Sequence, residues 1–258
     1  MKLIICFAIE RTGSSLIMDL MKRNSNRIFY QDECFHRQAC HGFEESNLKK
    51  FSEMYNINAS DINSASLIEF IHNNPIKFLE FNKKFVIKDS DYFAFKLFRS
   101  HLNSPQIDSI LLNYKTKILI LKRRPIDIFI SYRKAQKINK WNSFDTSNIS
   151  LEIDYFDFLE WHKNTSEWYK FIEKKLINHN LPFTYLNYED LINFSFDKTL
   201  KIIYESLNLK DEYKNKMFIE PHLRKQDISN YEKKIINWEQ FFEKTTKNNF
   251  LSKLYSFN

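Results

Sequence analysis

The sequence predicts an α/β fold: a single three-layer domain with a central parallel sheet and helices on both faces. Three observations carry this expectation. Apolar runs of strand length alternate with segments of helical spacing along the whole chain, the pattern of βαβ units. The runs are continuously apolar, as in strands covered on both faces. No internal repeat, Pro/Ser/Gly linker or low-complexity block divides the 258 residues, a length that suits one domain with a sizeable core.

Residues 2–9 form the first of these runs and predict a buried strand. Residues 14–24 follow with Leu16, Ile17, Leu20 and Met21 on one helical face. Residues 27–30 suit a short second strand, and residues 42–82 read as a helical, polar, variable insert. Residues 85–88, 92–98 and 116–122 are three more strand candidates, the last the strongest. Pro125 stands where a helix begins, and Ile126, Phe129 and Ile130 continue at helical spacing. A long helix is expected from about residue 153, since Phe158, Trp161, Trp168, Ile172 and Leu176 recur on one face. Residues 182–187 make a further strand, and Phe196, Leu200, Ile203 and Leu207 mark a last helical stripe.

Composition narrows the function classes. With 43% hydrophobic residues and only 2 Gly and 5 Pro, the chain is neither disordered nor collagen-like. No stretch reaches the roughly 20 continuous apolar residues of a membrane span, and Glu10-Arg11 follows the first run where a signal-peptide cleavage site would need small residues. Cys6, Cys34 and Cys40 are too few for a disulfide framework, so a reduced, cytoplasmic setting is expected. The net charge of +7, from 39 basic and 32 acidic residues, is modest. It suits a phosphorylated ligand, a nucleic-acid partner or plain solubility.

Between the first strand and first helix stands Arg11-Thr12-Gly13-Ser14-Ser15. Gly13 permits a tight turn and close backbone approach, and the hydroxyls of Thr12, Ser14 and Ser15 flank a helix N-terminus with free N–H groups. Arg11 adds a full positive charge. The segment is a P-loop-like phosphate-binding loop, although the nucleotide-triphosphate pattern G-x-x-x-x-G-K-[ST] is absent, with Ala8 and Ser14 at two of its positions. The same residues also suit an ordinary Ser/Thr N-cap.

A second strand, turn and helix unit spans residues 119–132, with Arg123 ending the strand and Ser131 two turns into the helix. Both converge on the carboxyl end of the sheet, where open α/β folds bind ligands. Cations at a helix N-terminus oppose its dipole unless an anion sits there. The alternative is a basic N-terminus facing solvent.

These two segments together resemble the sulfotransferases that use 3′-phosphoadenylyl sulfate (PAPS). Residues 11–15 are similar to the family's 5′-phosphosulfate loop, and Arg123-x-Pro125-x-Asp127-x-x-x-Ser131 to its 3′-phosphate motif. Tyr188-Glu189-Asp190-Leu191 resembles the family's Y-E-D-L, and Leu223-Arg224-Lys225-Gln226 with Asn237-Trp238 its cofactor-closing basic loop. The likeness runs from residue 2 to about 245. The Lys-x-His-Leu-Pro signature of cytosolic steroid and phenol enzymes is missing: Lys96 is followed by Leu97-Phe98, with His101 farther on. Residues 30–35 instead resemble the bacterial carbohydrate, trehalose-sulfotransferase-like branch, in which a Glu at the position of Glu33 is the proposed base.

The resemblance implies PAPS as donor, 3′,5′-ADP (PAP) as product and no metal. It assigns Arg11 to the bridging and leaving oxygens, Thr12, Gly13, Ser14 and Ser15 to the 5′-phosphate, and Arg123 and Ser131, helped by Arg224 and Lys225, to the 3′-phosphate. Glu33 is the first candidate for the base that deprotonates the acceptor hydroxyl, and His101 the second, on the intrinsic basicity of imidazole. The acceptor, a carbohydrate or glycolipid hydroxyl by branch resemblance, should meet residues 33–83 and the loop 139–152, with Phe35, Phe43, Tyr55 and Trp141 as candidate contacts.

Other readings stay open. A small-molecule kinase of P-loop type would need a phosphate-binding Lys and a Mg²⁺ carboxylate, for which no position stands out. A non-catalytic protein could bind polyanions or nucleic acid through the same basic cleft, although no nucleic acid is expected of a sulfotransferase. Cys34, His36, Cys40 and His41 bring four possible zinc ligands together, without the paired spacing of structural zinc sites. Oligomeric state is left undetermined.

Overall fold

The computed structural model describes residues 1–87, 90–141, 145–209, 218–221 and 230–257. Five strands, β1 (Lys2–Phe7), β2 (Ile28–Tyr30), β3 (Tyr92–Leu97), β4 (Thr116–Lys122) and β5 (Phe183–Asn187), form one sheet in the order β2-β3-β1-β4-β5. Every pairing is parallel, with Phe7 opposite Leu97 on one side and Ile120 on the other. From β1 the chain passes through helix α1 (Ser14–Arg23) to β2 at one edge. From β4 it passes through α6 (Pro125–Ile138) and α7 (Tyr155–Asn178) to β5 at the other. Adjacent strands thus send their connections in opposite directions, which opens a crevice beyond their carboxyl ends.

The two-residue period of β1 divides the core. Leu3, Ile5 and Phe7 face one side, where they meet Trp168, Tyr169, Ile172 and Leu176 of α7. Ile4, Cys6 and Ala8 face the other, against Ile17, Leu20 and Met21 of α1 and Leu200 and Ile203 of α9 (Phe196–Ser206). A third cluster joins Phe129 of α6, Phe158 of α7 and Phe241. Among the described residues, no helix is long and apolar enough to cross a membrane.

Two expectations change. Residues 42–82 are helical, as α2 (Glu45–Tyr55), α3 (Ala65–Asn73) and α4 (Pro75–Phe81), yet they are no polar appendage. Phe43, Phe51, Phe78 and Phe81 are buried in the main core and meet edge to face, Phe51 and Phe81 at 4.9 Å between ring centres. Their polar neighbours occupy the solvent side of the same turns. The strand expected near residue 85 is a π-helical turn, Asn82–Val86, that prolongs α4, with Asn82 Nδ2 donating to the Phe78 carbonyl at 2.9 Å. Residues 104–113, unassigned above, form α5 behind a reciprocal cap. Asn103 accepts from the Gln106 N–H at 3.0 Å while Gln106 accepts from the Asn103 N–H at 2.7 Å.

Candidate active site

The turn after β1 is held open by its own backbone. Thr12 Oγ1 donates to the Ile9 carbonyl at 2.8 Å, and Arg11 and Gly13 take left-handed φ values of 68° and 89°. The Leu16 and Ile17 N–H groups close on the Gly13 carbonyl, so α1 begins there with first-turn N–H groups at the mouth of a cavity of about 630 Å³ that Gly13, Ser14 and Ser15 line. A Cβ on Gly13 would lie 2.2 Å from the Tyr188 ring. Gly13→Ala therefore combines a clash with left-handed strain of about 1–3 kcal/mol, and is expected to lower the melting temperature by several degrees. An unchanged melting curve would mean that the Tyr188 ring yields.

The cavity draws on both loops. Arg123 Nη1 donates to the Arg11 carbonyl at 2.9 Å, and its guanidinium lies 4.7 Å from the Tyr188 ring centre. Its Nε is buried without a hydrogen-bond partner and is 4.0 Å from Glu189 Oε1, which accepts the Arg124 N–H at 3.0 Å. Arg11 Nε donates to Ser131 Oγ at 3.0 Å, and its Nη1 to the Trp141 carbonyl. Burial, followed by the neighbouring Arg123 charge, lowers the pKa of Arg11. Two guanidinium groups this close favour an anion beside them.

Beside Ser15, Lys96 of β3 has 1% of its side chain exposed. Its Nζ donates to Ser15 Oγ at 2.9 Å and Glu33 Oε1 at 2.9 Å, and pairs with Asp32 Oδ1 at 2.7 Å. Burial alone would depress the ammonium, but Glu33 and Asp32 outweigh it and hold Lys96 above its ordinary value. Burial likewise pushes Asp32 up, and Lys96 with the Tyr30 hydroxyl overcomes this to hold it down. The turn that carries Asp32 and Glu33 is fixed by the Lys96 N–H on the Asp32 carbonyl and the His36 N–H on the Glu33 carbonyl, both 3.0 Å. Glu33 lines the cavity with Glu10, Asp32, His36, Gln38 and His41.

His101 has no exposed surface and is not among the residues lining the cavity. Burial, reinforced by nearby His36, lowers its pKa to about 3. An unfolded His101 takes up its proton near pH 6.5 while the folded one does not, so folding stability falls as pH drops from about 6.5 toward 3. His101→Leu is expected to flatten that part of the stability curve in pH-dependent denaturant melts. An unaltered slope would assign the acid sensitivity to other groups.

Of the residues expected to bind phosphate, Arg11, Gly13, Ser14, Ser15, Arg123 and Ser131 line one cavity, Thr12 is instead fully buried with its hydroxyl spent on the Ile9 carbonyl, and Arg224 and Lys225 lie outside the described residues. Of the aromatic candidates only Trp141 lines the cavity. Phe35 and Phe43 are core residues, and Tyr55 packs 4.8 Å from Phe51. Cys34 and Cys40 are buried, and among the described residues no group of three or more His, Cys, Asp or Glu is arranged to hold a metal ion. Lys96 and Asp32 join the site unannounced. The available signal was a lysine inside an otherwise apolar strand, which needs a buried partner.

Residues 2–255 match the family model of the sulfotransferase domain. The chain belongs to the sulfotransferase family. Its five-stranded parallel sheet with flanking helices is the sulfotransferase α/β fold. A solved sulfotransferase from Alicyclobacillus acidocaldarius is similar at a TM-score of 0.51 and 10% identity, over 98% of this chain and 94% of that one. Retinol dehydratase, solved with androsterone and the inactive cofactor PAP, is similar at a TM-score of 0.40 and 14% identity, over 98% of this chain and 80% of that one. In this sulfotransferase the Arg11 and Arg123 loops meet at the crevice between β1 and β4.

Proposed function

We propose that this sulfotransferase moves the sulfuryl group of PAPS to a hydroxyl of a carbohydrate or glycolipid acceptor. The observation that supports it most is that Arg11, Arg123 and Glu33 line one cavity, with Arg123 donating to the Arg11 carbonyl. The orphaned Arg123 Nε and the Gly13 turn suit phosphate groups. Gly13, Ser14 and Ser15 would hold the 5′-phosphate, with Thr12 fixing their turn, and Arg123 with Ser131 the 3′-phosphate. Arg224 and Lys225 remain candidates to close over it. The carboxylates, imidazoles and amide that also line the cavity favour a polyhydroxylated acceptor over a steroid or phenol.

The donor supplies an activated sulfur: its bond to the 5′-phosphate oxygen breaks as the acceptor oxygen bonds to it. Glu33 takes the acceptor's proton, and Arg11 faces the negative charge left on the phosphate. Lys96 ties the turn at Ser15 to Glu33.

Thermal shift with PAP, ATP/Mg²⁺ and DNA is the direct test. Stabilisation by PAP above the others is expected. Preference for ATP/Mg²⁺ would favour a kinase, and steeply salt-dependent DNA binding a polyanion-binding protein. Arg11→Ala should lower turnover about 100-fold or more while PAP affinity changes far less. Normal turnover with lost PAP binding would make Arg11 an anchor only.

A further inference from the structure

We propose that His101 is a positioning residue, a neutral imidazole whose Nε2–H orients the Glu33 carboxylate toward the acceptor hydroxyl. The inference rests on Glu33 acting as the base. His101 follows β3 in the loop that enters α5, and its Nδ1 accepts the Phe98 N–H at 3.3 Å. The proton of a neutral ring then belongs on Nε2. That atom is buried without a hydrogen-bond partner and stands 3.7 Å from Glu33 Oε2. Glu33 Oε1 already accepts from Lys96 Nζ at 2.9 Å. The carboxylate therefore has a donor at each oxygen, Lys96 within bonding distance and His101 just beyond it. A shift of a few tenths of an ångström closes the second contact.

The ring is badly placed to be the base itself. One nitrogen is taken by the backbone, the other faces a carboxylate, and the cavity is lined by Glu33 rather than His101. Lys96, Asp32, His36, Glu10, Tyr30 and Cys34 surround Glu33. His36, His72 and the Lys96 ammonium oppose a positive charge on His101, and the Lys96 backbone favours it without outweighing burial.

The test compares His101→Leu with His101→Gln, whose amide N–H replaces the Nε2 donor. A donor to the carboxylate favours its charged form, so its loss in His101→Leu should move the acid limb of kcat/KM up by about one pH unit. The kcat should fall about tenfold, with PAP affinity unchanged. His101→Gln should restore both the limb and most of the rate. A side chain that only fills space would leave the limb in place, and that result overturns the proposal. Loss of transfer in both variants with normal melting and PAP binding would make the imidazole itself the base, and also overturns it. Should His101→Leu not fold, imidazole ¹⁵N NMR of the unaltered protein decides. A neutral Nε2–H ring from pH 8 to 5 is expected, whereas a Nδ1–H tautomer or titration near pH 6.5 refutes it. Failure of the underlying reading looks different: Glu33→Gln would then keep its turnover.

Discussion

Glu33→Gln is expected to lower turnover about 100-fold or more while leaving PAP affinity within about a factor of two. The substitution keeps the shape of the side chain, and a Gln oxygen can still accept from Lys96 Nζ, now 2.9 Å from Glu33 Oε1. What disappears is the group able to take a proton. Because the Lys96 contact is kept, Lys96 still holds Ser15 and the PAP contacts should survive. The measurement is steady-state transfer beside calorimetric PAP titration. Parallel losses in both would mean that Glu33 supports the fold of the site. Near-normal turnover would mean that the hydroxyl loses its proton elsewhere.

Arg123→Ala is expected to weaken PAP binding by about 2–4 kcal/mol, the cost of removing one partner of a desolvated charge pair. Three features support this guanidinium as a phosphate ligand. It donates to the Arg11 carbonyl, it lies over the Tyr188 ring, and its Nε is buried with no partner. Its exposed neighbour Arg124 is the control, and Arg124→Ala should change PAP affinity by less than about threefold. Equal PAP affinity of Arg123→Ala and the parent in calorimetry would remove Arg123 from the phosphate site.

Much of the fold was legible because its signals are local. The strand at Thr116–Lys122 is centred on its apolar run, Ile118 to Leu121. Pro125 occupies the first position of α6, where its missing N–H costs no helical bond. The insert was misjudged for a related reason. Its aromatic residues fall at helical spacing among Lys, Glu and Asn, and composition alone does not say which face of each turn will be buried. The turn at Asn82–Val86 shows the same limit, since a short apolar pair suits a strand or the end of a helix equally well.

The half of the site proposed to bind phosphate follows the same rule. Within five residues, Arg11 to Ser15 contain the charge, the turn glycine and the helix start that an anion cradle requires, and Arg123 and Ser131 share one strand-helix unit. What the sequence by itself determined is therefore the strand-helix alternation, the two loops at strand ends and the family they resemble. Tertiary structure alone decided the rest. Arg11 reaches Ser131 across 120 positions of sequence, and Lys96 reaches Glu33 across 63. Tyr188, just past the end of β5, packs against Gly13, and His101 faces Glu33. These contacts exist because the order β2-β3-β1-β4-β5 sets the ends of β3, β1 and β4 side by side. Periodicity encodes which residues face a core. It does not encode which strands become neighbours, and the pairing of buried charges depends on that.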